Sequence, residues 1–310
     1  MPFQTTIERP VETHGVGLHT AVKGRLRLAP APADTGIVFR RTDLENFEIE
    51  AHVRNVARVS YATSLMKKGV LISTTEHLLA ALYSCGVDNV YVELDALEVP
   101  ILDGSSQPFI EMLNAAGVRR LRKRRKYMKV VKPLEIEDAD PGKPGQVRKI
   151  GIYPADEFRV RCFVDFAHPL VGQQEVELKV CRETFSAMLA QARTFGFLHD
   201  VERLRAVGLI RGGSLENAIV LSRDGIMNGP LRYADEFGRH KALDLIGDLA
   251  LVGRPLKAFV KAHKAGHALH TQLVTRLLAD RSLWTESAAD VAPRANAQPL
   301  PAAEPLAAND

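Results

Sequence analysis

Cysteine and aromatic residues are scarce: three cysteines, one tryptophan and 6% aromatics in 310 residues. Cys85, Cys162 and Cys181 show no paired spacing and no C-x-x-C motif occurs, which argues against a disulfide scaffold and for a reducing compartment. No stretch reaches the roughly 18 consecutive apolar residues of a membrane helix. The N-terminus, MPFQTTIERP, lacks the charged and then apolar regions of a signal peptide. A cytoplasmic protein without a transmembrane segment is expected. No G-x-G-x-x-G fingerprint is present, and the Gly-Gly of RGGSLENA (211–218) is too short and misplaced for a phosphate-binding loop. The net charge of +4 suits an anionic ligand without requiring one.

What the chain does contain is ordinary material for a soluble fold: 46% apolar and 25% charged residues, at a length that can bury a core without staples. Residues 2–72 read as short strands and turns. Residues 73–85, STTEHLLAALYSC, read as a helix with Ser73 as N-cap and Gly86 at the C′ position. DNVYVELD follows as a strand and PFIEMLNAAG as a second helix. From residue 128 the strand pattern restarts with MKVVKPLEIE, RKIGIYP, FRVRCFVDF and EVELKV. Helical stretches are predicted around 183–193, 200–207 and 234–252, with NAIVLS and LKAFVKAH as strands and GHALHTQLVTRLLA as the last helix.

The order in HLLAALYSCGVDNVYVEL is that of LDLIGDLALVGRPLKAFVKAH. Two copies of one α+β unit are therefore expected, over residues 1–126 and 127–284. The tail, 285–310, is rich in Ala and Pro and is expected to lack order. PGKPGQ (141–146) reads as a loop tip. Eight of the eleven residues in RRLRKRRKYMK (119–129) are Lys or Arg. Without interleaved aromatics or a nucleic-acid motif this run reads as a solvated linker, so no nucleic-acid partner is expected.

Chemistry concentrates on the helix EFGRHKALDLIGDL (236–249). His240, Asp244 and Asp248 recur every four residues and share one stripe. His240 and Asp244 have the spacing of two ligands to one ion, and a catalytic zinc commonly has three protein ligands. His77, in TTEHLLAAL, could be the third, with Glu76 beside it as the base for a metal-activated water. Such a set is typical of zinc hydrolases and is also used by non-haem iron. Alternatives stay open: Ser73-x-x-Glu76 is also a capping box, and His240 with Asp244 could be a solvated ion pair. His267 opens a helix beside that of Asp244, and Asp248 could hold it as an imidazolium. Thr194, in ARTFGF, could donate to an oxyanion or simply sit in a helix C-terminal turn. His14, His52, His199, His263 and His270 read as structural.

Taken together, GVGLHT (15–20), STTEHLLAAL (73–82), ILDGSSQPF (101–109), VDFAHP (164–169), ARTFGF (192–197), GGSLENAIV (212–220), RHKALDLIGDL (239–249) and KAGHAL (264–269) resemble the UDP-3-O-acyl-N-acetylglucosamine deacetylases of lipid A biosynthesis. The resemblance runs to about Trp284. It implies two α+β domains with the active site between them, and removal of acetate from the 2-acetamido group of an acylated UDP-N-acetylglucosamine. It implies zinc, with iron(II) as the cellular alternative, on His77, His240 and Asp244. Glu76 matches the general base, His267 the second catalytic group, Asp248 the carboxylate that orients it, and Thr194 an oxyanion donor. Lys241 and Lys264 are implied for the diphosphate, Phe166 for the uracil and Phe195 for the sugar. Leu198, Val201, Leu204 and Leu215 lie in the family's acyl-binding insert, with plain core packing as the alternative. A non-hydrolytic nucleotide-sugar binding protein is the rival reading. The tail, ending EPLAAND, could be a handle for a protease.

Overall fold

The structure, a computed structural model, describes residues 2–140 and 145–288. Its first half is built on a five-stranded sheet in the order Val11–Val16, Lys23–Pro30, Val90–Leu94, Ile37–Arg41, Phe47–Glu50. Within it only Val90–Leu94 and Ile37–Arg41 run parallel. The second half repeats this pattern with Leu134–Ala139, Val147–Pro154, Leu256–His263, Phe158–Phe166 and Gly172–Lys179, and again only the third and fourth strands run parallel. In each sheet the last of the five strands to be synthesised is inserted in the middle. Its alternation is plain in Leu256–His263, where every second residue is buried, as a half-buried strand requires.

A helix precedes that inserted strand in each half and another follows it. In the first half these are α1 (Glu76–Ser84) and α2 (Gln107–Ala116). The second half adds α3 (Arg182–Met188) and α4 (Leu198–Ala206), and its counterparts of the first pair are α5 (Glu236–Leu249) and α6 (His267–Ala279). The equivalent helices α1 and α5 pack directly on each other. Their approach depends on Gly247: a Cβ there would lie 2.1 Å from the Glu76 carbonyl oxygen. α1 ends where expected, with Gly86 at φ 69°, a left-handed conformation that glycine adopts without steric cost.

Several expectations are corrected. The helix expected over 73–85 begins at Glu76, and its N-cap, Thr75, makes no side-chain cap bond. Ser73 does not cap either, because its hydroxyl pairs with that of Ser64, 3.0 Å away. The basic run is not a solvated linker but two strands. Val118–Arg124 pairs with Phe3–Ile7, and Lys126–Val130 pairs with Leu256–His263 and Trp284–Ala288. Long cationic side chains can reach water from a paired backbone, which reconciles charge with a sheet. Arg125, between the two strands, is only 9% exposed and is ion-paired to Asp88.

Residues 285–288, expected in the structureless tail, belong to the strand Trp284–Ala288, tied to its neighbour by backbone pairing and by Lys126–Glu286 at 2.8 Å. The rest of that tail, 289–310, and residues 141–144 of the PGKPGQ stretch lie outside the described residues. ARTFGF is not a helix terminus: Phe195–Phe197 is a strand parallel to Ile219–Leu221. Among the described residues, no helix is long and apolar enough to cross a membrane.

Candidate active site

α1 and α5 are buried almost all round, yet they carry Glu76, His77, His240, Asp244 and Asp248 into the interior. Buried ionisable groups are costly unless they are paired, hydrogen-bonded or bound to a metal, so their arrangement calls for a specific account.

The ligand atoms of His77, His240 and Asp244 all lie within 4.8 Å of one another. His77 Nε2 is 3.6 Å from Asp244 Oδ1 and His240 Nε2 is 3.4 Å from the same oxygen. These distances are long for hydrogen bonds. They match two donors on one tetrahedral zinc, which at about 2.1 Å from the ion stand about 3.4 Å apart. The two rings meet edge to face, with centroids 4.9 Å apart. His240 donates Nδ1–H to the Ala192 carbonyl, 3.1 Å away, which leaves the Nε2 lone pair facing the site. Burial lowers the His240 pKa to about 4, so the imidazole is neutral, as a ligand must be. Lys241 Nζ binds Asp244 Oδ2 at 2.8 Å, leaving Oδ1 to the imidazoles. Burial opposes the Asp244 charge, yet Lys241 and the imidazoles hold its pKa well below the usual carboxylate range. The donor set therefore fits a metal ion.

Glu76 is 3% exposed, and its Oε2 accepts from the Thr63 N–H at 3.1 Å rather than capping its helix. Burial raises its pKa, against the pull of His267 and His77. A carboxyl tuned upward in a cleft is a candidate base.

His267 donates Nδ1–H to Asp248 Oδ2 at 2.6 Å. Burial would lower its pKa, but the Asp248 carboxylate overrides this and raises it to about 9. Asp248 in turn accepts from the Thr63 hydroxyl at 2.6 Å and from His270 Nδ1 at 2.7 Å. Burial opposes its charge, but His267 and the other donors hold its pKa down at about 2. Thr63 and His270 are partners that the sequence reading missed. His270 was legible in principle, three residues after His267 on the same helix face. Thr63 was not, being 185 residues from Asp248.

These groups wall a cavity of about 440 Å³, which Glu76, His77, His240, Asp244, His267 and Thr194 all reach. Thr194 is fixed by backbone bonds of 2.8 Å to Gly104 and Ile219. Phe166 and Phe195 reach the same cavity, ring to ring at 5.5 Å, as do Val201, Leu204 and Lys241. Asp248 lies behind His267, off the wall, and three of the residues nominated for substrate do not reach the cavity either. Lys264 sits in a left-handed turn at φ 53° and binds Asp140 and Gln146, each at 2.6 Å. Leu198 is not on the wall, and Leu215 is 49% exposed on the surface. In their place the wall gains Arg148 and Arg203, with apolar Leu18 and Ile210. His19, also on the wall, has neither ring nitrogen hydrogen-bonded. It belongs to GVGLHT, where nothing in the local sequence distinguishes it from a structural histidine. A second cavity, of about 340 Å³, is lined by Asp88 and Arg125, which neutralise each other.

The chain is similar over nearly its whole length to known proteins of one family. The LpxC family, described as UDP-3-O-acyl N-acetylglycosamine deacetylase, matches residues 4–279. The chain is 52% identical over 285 residues to the UDP-3-O-acyl-N-acetylglucosamine deacetylase of Solibacter usitatus (strain Ellin6076), covering 92% of this chain and 94% of that one. It is 45% identical over 287 residues to the protein of that name in Geobacter sp. (strain M21), covering 92% of each. The match to the Syntrophotalea carbinolica deacetylase of the same name is 42% over 286 residues, covering 92% and 90%.

Proposed function

The chain belongs to the UDP-3-O-acyl-N-acetylglucosamine deacetylase family, and from that premise we propose the reaction and the role of each residue. The enzyme hydrolyses the 2-acetamido group of UDP-3-O-(3-hydroxyacyl)-N-acetylglucosamine. It releases acetate and leaves a free amine, the committed step toward lipid A. The observation that carries this reading is the convergence of His77, His240 and Asp244 on one point beside the buried carboxyl of Glu76.

His77, His240 and Asp244 would hold zinc, which would supply Lewis acidity and lower the pKa of a bound water toward neutrality. Glu76 takes the proton of the attacking water. As the carbonyl oxygen gains negative charge, the Thr194 side chain and the His267 imidazolium meet it. Asp248 keeps His267 protonated and oriented. Glu76, its pKa raised by burial, can return its proton to the departing amine, while His267 enters the reaction already charged. The donor set also suits iron(II), and elemental analysis of the purified protein distinguishes the two.

The substrate's diphosphate is assigned to Lys241 with Arg148 and Arg203, its uracil to Phe166, its sugar to the neighbourhood of Phe195, and its acyl chain to the passage along Val201, Leu204 and Leu18. The free thiols of Cys85, Cys162 and Cys181 are consistent with a cytoplasmic enzyme.

A non-hydrolytic binder would have no use for Glu76. That carboxyl is buried at a cost, caps nothing and reaches the cavity. The test is to incubate the purified protein with the acylated nucleotide sugar and follow the product by mass. Loss of one acetyl group with appearance of a free amine is expected. Binding without deacetylation in the metal-loaded protein would sink the proposal in favour of the binder.

A further inference from the structure

His270 has the surroundings of a working group. It is 1% exposed and lies one turn beyond His267 on α6. Its Nδ1 is 2.7 Å from Asp248 Oδ2, the same oxygen that His267 Nδ1 reaches at 2.6 Å. An ionised carboxylate only accepts hydrogen bonds, so both Nδ1 atoms carry protons. His270 Nε2 is buried and has no partner. A charged ring would leave an N–H unsatisfied there, at a heavy cost in an apolar interior. His270 is therefore the neutral Nδ1–H tautomer, a fixed donor, whereas His267 is the imidazolium. Asp248 Oδ1 is taken by the Thr63 hydroxyl at 2.6 Å. The other charged groups around the pair are Asp244 and Lys241 on α5 and Glu76 on α1.

We propose that His270 is a positioning residue of the deacetylase site: its Nδ1–H and the Thr63 hydroxyl pin the two oxygens of Asp248, so that Oδ2 is held in line with His267 Nδ1. The inference rests on the deacetylase reading and adds a member to its hydrogen-bonded chain. Without the His270 donor the carboxylate is free to swing toward Thr63, and His267 loses its fixed direction.

The test compares His270→Leu, which removes the donor, with His270→Asn, whose amide places an N–H close to the Nδ1 position. Leu is expected to lower kcat by about ten-fold or more, as misplacing a reacting group does. KM should stay within about two-fold, since a transition-state interaction is removed. Asn should restore most of the loss. In ¹⁵N-labelled wild-type protein at neutral pH, the His270 ring should show a protonated Nδ1 and a bare Nε2. The His267 Nδ1–H resonance should move in the Leu variant and return in the Asn variant. Wild-type kcat in the Leu variant, a loss that Asn does not repair, or a His270 proton on Nε2 would each overturn the proposal. The tautomer is read without turnover and needs only the wild-type protein, so it holds if the Leu variant fails to fold. Absence of acetate release from the wild type would instead count against the reaction itself.

Discussion

The contact between α1 and α5 sets the geometry of the proposed metal ligands, and Gly247→Ala tests that dependence. A Cβ at residue 247 would lie 2.1 Å from the Glu76 carbonyl oxygen and 2.9 Å from its Cα, where ordinary contact begins at 3.4 Å. The obstacle is backbone, so no rotamer change relieves it, and the helices must part by roughly 1 Å. His77 comes from α1, while His240 and Asp244 come from α5. The same movement would widen the gap between His77 Nε2 and Asp244 Oδ1 from 3.6 Å, close to the ~3.4 Å that one tetrahedral zinc spans, to well outside that span. Overpacking of this kind costs about 1–3 kcal/mol of stability. A misplaced reacting group lowers turnover by about 100-fold. We expect zinc affinity, measured by competition with a chromophoric chelator, to fall by roughly ten-fold or more, together with kcat/KM and the melting temperature. Gly238→Ala on the same helix is the comparison. There a Cβ meets the Gln174 side chain at 3.0 Å, so only a small shift is needed and zinc affinity should hold. Wild-type zinc binding and turnover in Gly247→Ala would refute the argument that this crossing positions the site.

Glu76→Gln keeps the shape and removes the base, so kcat should fall by about 10²–10⁴-fold while metal content stays at the wild-type level. Loss of metal from this variant would mark Glu76 as a ligand instead. The His267 pKa is raised from 6.5 to about 9, so its stabilising contribution is complete below 6.5 and is lost as pH rises through about 9. Activity should fall on the same alkaline limb as the imidazolium is lost. On the acid side it should fall through a Glu76 pKa above the ordinary 4.5. A kcat/KM profile flat to pH 10 would contradict the role of His267. Glu236, wholly buried, pairs with Arg193 at 2.9 Å, beside the Ala192 carbonyl that orients His240. Glu236→Ala should cost about 3–5 kcal/mol in denaturant unfolding, and a loss under 1 kcal/mol would show that the pair is dispensable.

The elements legible in the sequence were those whose own periodicity dominates. Leu256–His263 alternates apolar and polar residues, and α5 and α6 repeat at helical spacing. The strand Val118–Arg124 was hidden because cations fill both of its faces and suppress the alternation. The proposed metal ligands could be singled out because two share a helix face and the third stands next to a carboxyl in the equivalent helix of the other half. The corrections concern groups whose partners are distant in sequence. Ser73 turns to Ser64, Lys264 to Asp140, and Thr63 to Asp248 across 185 positions. No local spacing rule reports such pairings, since the fold and not the chain neighbourhood brings them together.

The most direct test of the central claim is acetate release from UDP-3-O-(3-hydroxyacyl)-N-acetylglucosamine by one preparation in three states: as purified, after chelation, and after zinc is returned. Activity that disappears on chelation and returns with zinc is expected from His77, His240 and Asp244 holding the ion that activates water beside Glu76. Undiminished acetate release from fully chelated protein would contradict the metal assignment, and no release in any state would contradict the deacetylase itself.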